Sequence, residues 1–116
     1  KKFLTSHFSL LAFDLIISNP PYIKTADIKT LQPEVKDWEP VIALDGGEDG
    51  LDVYRELIPV AKVFLKDNGI LMLEMDLGQA GEITRMLKFS GYTEIEIIKD
   101  YAGIERVAKA KKKTCN

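Results

Sequence analysis

The feature that most constrains the fold is a short apolar run that stops at two consecutive prolines. Residues 13–18 read Phe-Asp-Leu-Ile-Ile-Ser and lead directly into Asn19, Pro20, Pro21 and Tyr22. A run this short and this apolar is typical of a strand buried on both faces, as in parallel sheets. Proline fixes its own φ and has no amide hydrogen, so it cannot extend the strand ladder. The sequence therefore predicts a buried strand that ends abruptly in a stiff corner.

The chemistry of this corner suits a flat nitrogen group. An outward-facing carbonyl beside the side-chain oxygen of Asn19 makes a pair of hydrogen-bond acceptors, and the ring of Tyr22 can cover a group held between them. Two acceptors fix both hydrogens of a planar NH2 group and hold a weakly nucleophilic amide nitrogen in line with a methyl donor. They also stabilise the positive charge that develops on that nitrogen. The alternative is a rigid turn that only ends a strand.

The region after the corner alternates between helical and extended patterns. Apolar residues at steps of three and four, from Leu51 to Leu65, predict a helix that ends at Asn68-Gly69. Asp49 is predicted as its N-cap, and a kink or break is expected at Pro59. A short helix is also predicted near 26–31. Further elements are predicted as follows: a buried strand at 70–75, a helix at 79–90, and strands at 93–99 and 104–110. This order predicts an α/β fold with a mostly parallel sheet, helices on its faces, and ligands at the carboxyl ends of the strands.

Composition sets limits on partners and location. The 116 residues fit one domain over 1–116, and a net charge of −2 gives no reason to expect a nucleic-acid surface. The basic cluster over 109–113 is interpreted as a solvated, frayed terminus. No apolar run reaches the roughly 20 residues of a membrane span, and the start does not resemble a signal peptide. Cys115 cannot form an internal disulfide and, with His7, gives no support for a zinc site, so a reducing, cytoplasmic location is expected.

The stretch from Phe13 to Ile23 resembles the signature of the HemK/PrmC family of protein-glutamine methyltransferases. The further matches are Glu39-Pro40, residues 43–51, Tyr54-Arg55, Leu73-Glu74, Gln79, Gly91-Tyr92 and residues 100–106. Together they cover nearly the whole chain from Phe13 onward, and this series is far more specific than the tetrapeptide alone.

This resemblance implies the C-terminal half of a Rossmann-like, S-adenosylmethionine-dependent methyltransferase domain. In the family the acceptor is a glutamine side-chain amide in the Gly-Gly-Gln loop of peptide-chain release factors, or in a ribosomal protein for a close subfamily. Carried over by motif, the Asn19 side chain and the Pro20 carbonyl would receive the amide NH2. Pro21 and Tyr22 would complete the substrate site, and Asn19 would also contact the donor.

Two departures from the family pattern change what is expected of this chain. The family binds its donor mainly through a glycine-rich loop and an acidic residue that precede the proline corner, and it carries a helical substrate domain further upstream. Only twelve residues precede Phe13 here. The chain alone is therefore expected to be inactive and to expose strand 13–18 as a bare edge, through which copies self-associate or swap. Asp76 stands where the family usually has glycine, which affects the local turn.

Other segments have competing interpretations. Residues 45–50 imitate a dinucleotide loop, but their glycine spacing and their acidic side chains disfavour a phosphate, so a loop bordering the acceptor site and capping the next helix is predicted. Glu74 is either a polar group at the rim of the site or, as favoured, a carboxylate bonded by loop amides. Arg106 and Glu105 are interpreted as surface residues of an edge strand, and the less favoured alternative, from the family match, is that Arg106 holds a loop.

Two further function classes remain open. One is an adenine-amino DNA methyltransferase fragment acting on a flipped base, which would require a basic groove. The other is a non-catalytic remnant that only binds partners.

Overall fold

Four strands form one sheet in this computed structural model, which describes residues 12–30 and 44–113. They are β1 (Phe13–Ser18), β2 (Leu65–Glu74), β3 (Tyr92–Lys99) and β4 (Glu105–Lys112). The strand order is β1-β2-β4-β3, with β1 and β2 parallel and the other two pairings antiparallel. The predicted α/β fold is confirmed, but the described sheet is mixed rather than mostly parallel. The reason is that β4 follows β3 through a tight turn, which places the two strands antiparallel.

Two α-helices cover one face of this sheet, α1 (Asp52–Phe64) and α2 (Ala80–Phe89). Their buried side chains share a core with β2 and β4. The core comprises Leu51, Tyr54, Ile58, Ala61, Leu65, Leu71, Leu73, Met75, Ala80, Ile83, Leu87, Tyr92, Ala108 and Ala110. Burial of these apolar side chains is the main stabilising term of the fold. A short 3-10 helix, Thr25–Thr30, stands near the predicted short helix.

The ends of α1 differ from the prediction. Its N-cap is Leu51 without a side-chain cap, because the carboxylate of Asp49 accepts the Leu51 amide and pairs with Arg55. The helix continues through Pro59 without a break and ends at Phe64, before the predicted stop. The stop prediction was wrong because the chain passes directly into β2.

Asn68 and Gly69, the predicted helix stop, instead lie inside β2. Asn68 has a φ of 66°, and the register between β1 and β2 shifts at this point, from Phe13 opposite Leu65 to Leu15 opposite Ile70. The turn-forming pair thus produces a strand irregularity.

The strand over 13–18 has the predicted bounds but not the predicted burial. Phe13, Leu15 and Ile17 are exposed, and only Ile16 packs partly against the core. The prediction of burial on both faces was wrong because β1 is an edge strand of the described sheet and neither described α-helix covers its outer face.

The basic residues near 109–113 also differ from the expectation of a frayed terminus. Lys109, Lys111 and Lys112 belong to β4, where Lys111 pairs with Glu94 and Lys112 donates to the carbonyl of Leu65. All three lie opposite residues of the neighbouring strands and are therefore part of the strand ladder.

Some predictions fall outside the described residues. These concern the start with His7, the segment 31–43 with Glu39-Pro40, and Cys115. Among the residues described, no helix combines the length and hydrophobicity that a bilayer crossing requires.

Candidate functional site

The proline corner lies where β1 and β2 both finish. Because the two strands are parallel and Ser18 pairs with Leu73, their carboxyl ends meet at one edge of the sheet. The side chain of Asn19 is exposed there, whereas Pro20 is buried. Ligands gather at this edge in open α/β sheets, so the position of the corner agrees with that of a binding site.

The corner borders a small cavity. Its volume is about 110 Å³, and it is lined by Asn19, Pro20, Pro21, Tyr22, Ile23 and Leu44. Within residues 12–30 and 44–113, neither the Asn19 side chain nor the Pro20 carbonyl makes a hydrogen bond. The expected pair of acceptors is therefore not consumed by this part of the protein.

The ring of Tyr22 forms the inner wall of the corner. It is half-buried and packs against the hydrophobic core. Burial raises the pKa of its hydroxyl, and the nearby carboxylates of Asp76 and Glu74 raise that pKa further, against an opposing effect of Arg106. The hydroxyl therefore remains protonated at neutral pH, and the residue presents a neutral ring to the cavity.

The loop over 45–50 supports the corner from the side. Ile23 and Asp45 form an isolated parallel bridge, in which the Ile23 amide donates to Leu44 and its carbonyl accepts from Gly46. A side chain at Gly46 would place its Cβ 2.8 Å from the Pro21 carbonyl oxygen. Only glycine therefore permits this close approach, and the loop borders the predicted acceptor site as expected.

The carboxylates of this loop are engaged in local structure. The Asp45 carboxylate accepts the Thr25 hydroxyl at 2.6 Å and the Gly47 amide at 2.9 Å, and these bonds lower its pKa. Arg55 holds the pKa of Asp49 at about 2. Both carboxylates therefore stabilise the loop and its neighbours through local contacts, and they need no bound phosphate to do so.

The end of β2 is fixed by several main-chain contacts. The Tyr54 hydroxyl donates to the Glu74 carbonyl at 2.5 Å, and the Met75 amide donates to the Arg106 carbonyl at 2.8 Å. The Glu74 side chain is exposed, and no hydrogen bond joins its carboxylate to another described residue. The favoured interpretation, a carboxylate bonded by loop amides, is therefore not what the described residues show.

Arg106 contacts a loop, in agreement with the less favoured of its two interpretations. The expected edge-strand position was wrong, because β4 lies between β2 and β3 in the described sheet. Its guanidinium lies 3.2 Å from the Asp100 carboxylate and 4.0 Å from that of Asp76. Asp100 in turn accepts the amides of Ala102 and Ile104, which lowers its pKa together with the contact from Arg106. The pair therefore joins the turn between β3 and β4 to the end of β2.

Sequence reasoning assigned no site role to Gln79 or Tyr54. Gln79 contacts the carbonyls of Tyr22 and Gly50, which are 57 and 29 residues away in sequence. Such contacts leave no periodic signal. The available signs were that both residues belong to the family matches and that Gln79 lies between a strand end and a helix start, at the edge where ligands gather.

Comparison with known proteins gives a consistent result. No family model matches the chain. The chain is 50% identical over 95 residues to the release factor glutamine methyltransferase of Geobacter sulfurreducens, covering 82% of this chain and 34% of that protein. A second such enzyme, from Thermodesulfovibrio yellowstonii, is 48% identical over 95 residues, with the same shares covered. The chain thus spans about one third of the length of these curated relatives.

Solved structures show the same fold at low sequence identity. The crystal structure of the release factor-specific protein-(glutamine-N5) methyltransferase from Alicyclobacillus acidocaldarius has a TM-score of 0.58 at 23% identity, covering 97% of this chain and 57% of the other. At this identity the likeness establishes the methyltransferase fold alone, and the prediction of that fold is confirmed.

Proposed function

We propose that this chain, a relative of the release factor glutamine methyltransferases, forms the acceptor side of a site that methylates a glutamine side chain in a protein. The carrying observation is the exposed Asn19 beside the Pro20 carbonyl, both without a hydrogen bond to the described residues. By the same resemblance, the substrate is the Gly-Gly-Gln loop of a peptide-chain release factor.

In this proposal the corner binds and orients the amide. The Asn19 side-chain oxygen and the Pro20 carbonyl each accept one hydrogen of the NH2 group, which fixes the nitrogen and its plane. The Tyr22 ring packs beside that plane. The two prolines hold the acceptors in place before the substrate arrives, so little ordering is left for the reaction itself.

The donor proposed on the basis of the resemblance is S-adenosylmethionine, which supplies a methyl group from its sulfonium centre when bound. As the nitrogen forms its bond to carbon, positive charge develops on the N–H groups, and the two acceptors stabilise it. The described lining of the small cavity contains no carboxylate or histidine. In this proposal the nitrogen loses its proton to solvent after methylation.

The fit of the donor to this chain is partial. The cavity at the corner has a volume of about 110 Å³, and in this proposal Asn19, which lines it, would contact both the donor and the acceptor. The whole donor needs a larger site. We therefore propose that the 116 residues alone do not methylate and that donor binding needs additional sequence, as the one-third coverage of the relatives suggests.

Mass spectrometry tests this function in the full-length protein. A release factor incubated with the protein and S-adenosylmethionine is expected to gain the mass of one methyl group on the glutamine of its Gly-Gly-Gln peptide. Asn19→Ala removes one of the two acceptors and should lower kcat by roughly 100- to 1000-fold. Asp14→Asn is the matched control, because Asp14 is an exposed residue near the other end of β1, and its activity should equal wild type.

Two results would overturn the proposal. One is the absence of a mass shift on that peptide in the presence of a donor that the protein binds. The other is an Asn19→Ala protein with wild-type kcat, because a corner that acts only as a turn would not need the side-chain oxygen.

A further inference from the structure

Gln79 lies at the junction of three segments that surround the proline corner. It is the residue immediately before α2, and its side chain is partly buried. Its amide nitrogen lies 3.4 Å from the carbonyl oxygen of Tyr22 and 3.4 Å from that of Gly50. Its side-chain oxygen accepts the Asp76 amide at 2.9 Å. One side chain thus connects the corner, the supporting loop and the turn that follows β2.

This arrangement uses both the donor and the acceptor groups that a carboxamide combines in one side chain. A carboxamide offers two N–H donors and a carbonyl acceptor in one plane. The donors serve two carbonyls of distant segments, and the acceptor serves a third. A glutamate of the same length could accept from Asp76 but, when ionised, could not donate to Tyr22 or Gly50. A methionine could do neither.

The backbone of Gly50 permits the two carbonyls to approach Gln79 together. Gly50 has a φ of +81°, and a Cβ at this position would lie 2.5 Å from the Tyr22 carbonyl oxygen and 3.2 Å from the Gln79 amide nitrogen. The left-handed conformation and the lack of a side chain are both required here. The loop and the corner are therefore shaped to converge on the glutamine amide.

Fixing the Tyr22 carbonyl has consequences for the acceptor pair. The main chain of Pro21 and Tyr22 lies between this carbonyl and that of Pro20, and the locked φ of Pro21 removes one of the torsions through which the two can move relative to each other. On the other side, the Ile23 main chain is bonded to Leu44 and Gly46. Within the part of the chain that the structure describes, the Gln79 side chain links the β2–α2 turn to the corner by hydrogen bonds.

From this geometry we infer that Gln79 is a positioning residue, which sets the direction of the Pro20 carbonyl by holding the Tyr22 carbonyl. The inference rests on the proposed function, since it assigns Gln79 to the same acceptor site. Gln79 does not touch the substrate. Its effect is on the alignment of the bound amide, and misalignment by about 1 Å can cost roughly 100-fold in rate.

Two substitutions in the full-length protein separate this role from general stabilisation. Gln79→Met keeps the length and removes all three bonds. Gln79→Glu keeps the acceptor for Asp76 and removes only the donors at neutral pH. Both should lower kcat for the Gly-Gly-Gln peptide by roughly 10- to 100-fold while its KM changes by less than about 3-fold. Glu82→Gln in the first turn of α2 is the control and should leave both constants unchanged.

The kinetic results decide the role of the donors. If Gln79→Glu is as impaired as Gln79→Met, the bonds to Tyr22 and Gly50 carry the effect, as inferred. If Gln79→Met retains wild-type kcat, or if its loss appears only in KM, the positioning role is overturned.

Hydrogen exchange provides a readout that does not depend on activity. In Gln79→Met, amide exchange should accelerate by roughly three- to tenfold over residues 22–25 and 46–50, with the core over 71–75 unchanged. A wild-type protein that methylates no glutamine would overturn the proposed function, and the exchange data would still decide whether Gln79 holds the corner. Unchanged exchange over 22–25 would overturn the inference even in an active enzyme.

Discussion

β1 and β2 are neighbours with similar apolar sequences and opposite environments. Ile17 in β1 is 68% exposed, whereas Leu73 in β2 is fully buried, although the two lie one register step apart. β2 lies between β1 and β4 and beneath the described helices, while β1 has a described neighbour on one side only. An apolar run therefore predicts that a strand forms, but the position of the strand in the sheet determines whether it is buried.

The segments that leave the carboxyl ends of the two strands, called their exits below, also differ in how many hydrogen bonds hold them. The end of β2 is bonded at Glu74, Met75 and Asp76 by contacts from α1, β4 and Gln79. The end of β1 passes into a proline corner whose Asn19 side chain and Pro20 carbonyl have no hydrogen bond within the described residues. Hydrogen bonds from other segments hold the exit of β2. The exit of β1 is stiffened by the fixed φ angles of its two prolines, which leaves the Asn19 and Pro20 oxygens available as acceptors.

The largest expected effect tests the contrast in burial. Leu73→Ala should lower the free energy of unfolding by about 2–5 kcal/mol, because it removes a fully buried side chain and leaves a cavity. Ile17→Ala on the adjacent strand should cost less than about 1 kcal/mol, because the side chain is already exposed. Urea denaturation of both variants measures the difference. Equal costs would show that β1 is covered in solution and would remove the contrast.

The sequence predicted the elements more reliably than their surroundings. The bounds of β1 and the extent of α2 were predicted almost to the residue, because Pro20 and Gly91 end those elements through local backbone restrictions. The end of α1 was predicted wrongly, since Asn68-Gly69 is a turn signal in isolation but lies within β2 once Leu65 enters the core. Burial and register depend on tertiary contacts that local patterns do not contain.

In the candidate site, too, the residues predicted from local sequence differ from those that only tertiary contacts reveal. Asn19, Pro20, Pro21 and Tyr22 were predicted together because they are adjacent in the sequence and carry distinctive chemistry. Gln79 was not, because its contacts join segments that only the fold brings together. Residues whose role is to hold other residues are hard to recognise from sequence alone.

A smaller effect is expected at the bonded exit of β2. Tyr54→Phe removes the hydroxyl that donates to the Glu74 carbonyl and should cost about 1–2 kcal/mol of unfolding free energy. Tyr92→Phe is the matched control, because its buried hydroxyl also donates to a main-chain carbonyl, that of Ile58, away from the corner. Hydrogen exchange over 74–79 should accelerate in Tyr54→Phe and not in Tyr92→Phe. Identical exchange in the two variants would show that this bond does not fix the exit.

The exposed edge of β1 predicts association with little change in stability. Unpaired strand edges with apolar side chains are templates for pairing between chains. Sedimentation at rising concentration of the 116-residue chain should therefore show self-association, and Ile17→Lys should weaken it. Phe89→Lys is the control, because Phe89 is even more exposed than Ile17 but lies on α2. A wild-type chain that stays monomeric at high concentration would contradict the expected role of the edge.

The smallest effect concerns the loop that supports the exit of β1. The hydrogen bond from Arg55 lowers the pKa of Asp49 to about 2, below its value of roughly 3.9 in an unfolded chain. The folded state therefore gains a small stabilisation above pH of about 4, which is lost as the pH falls towards 2. Carbon NMR titration should show that Arg55→Gln raises the pKa of Asp49 towards the unfolded value. The pKa of Asp45, which the Thr25 hydroxyl lowers, should not change. If Asp49 already titrates near 4 in the wild-type protein, Arg55 does not hold this loop. The loop conformation would then depend on the main-chain hydrogen bonds of Gly46 and Gly47 to the segment after the corner.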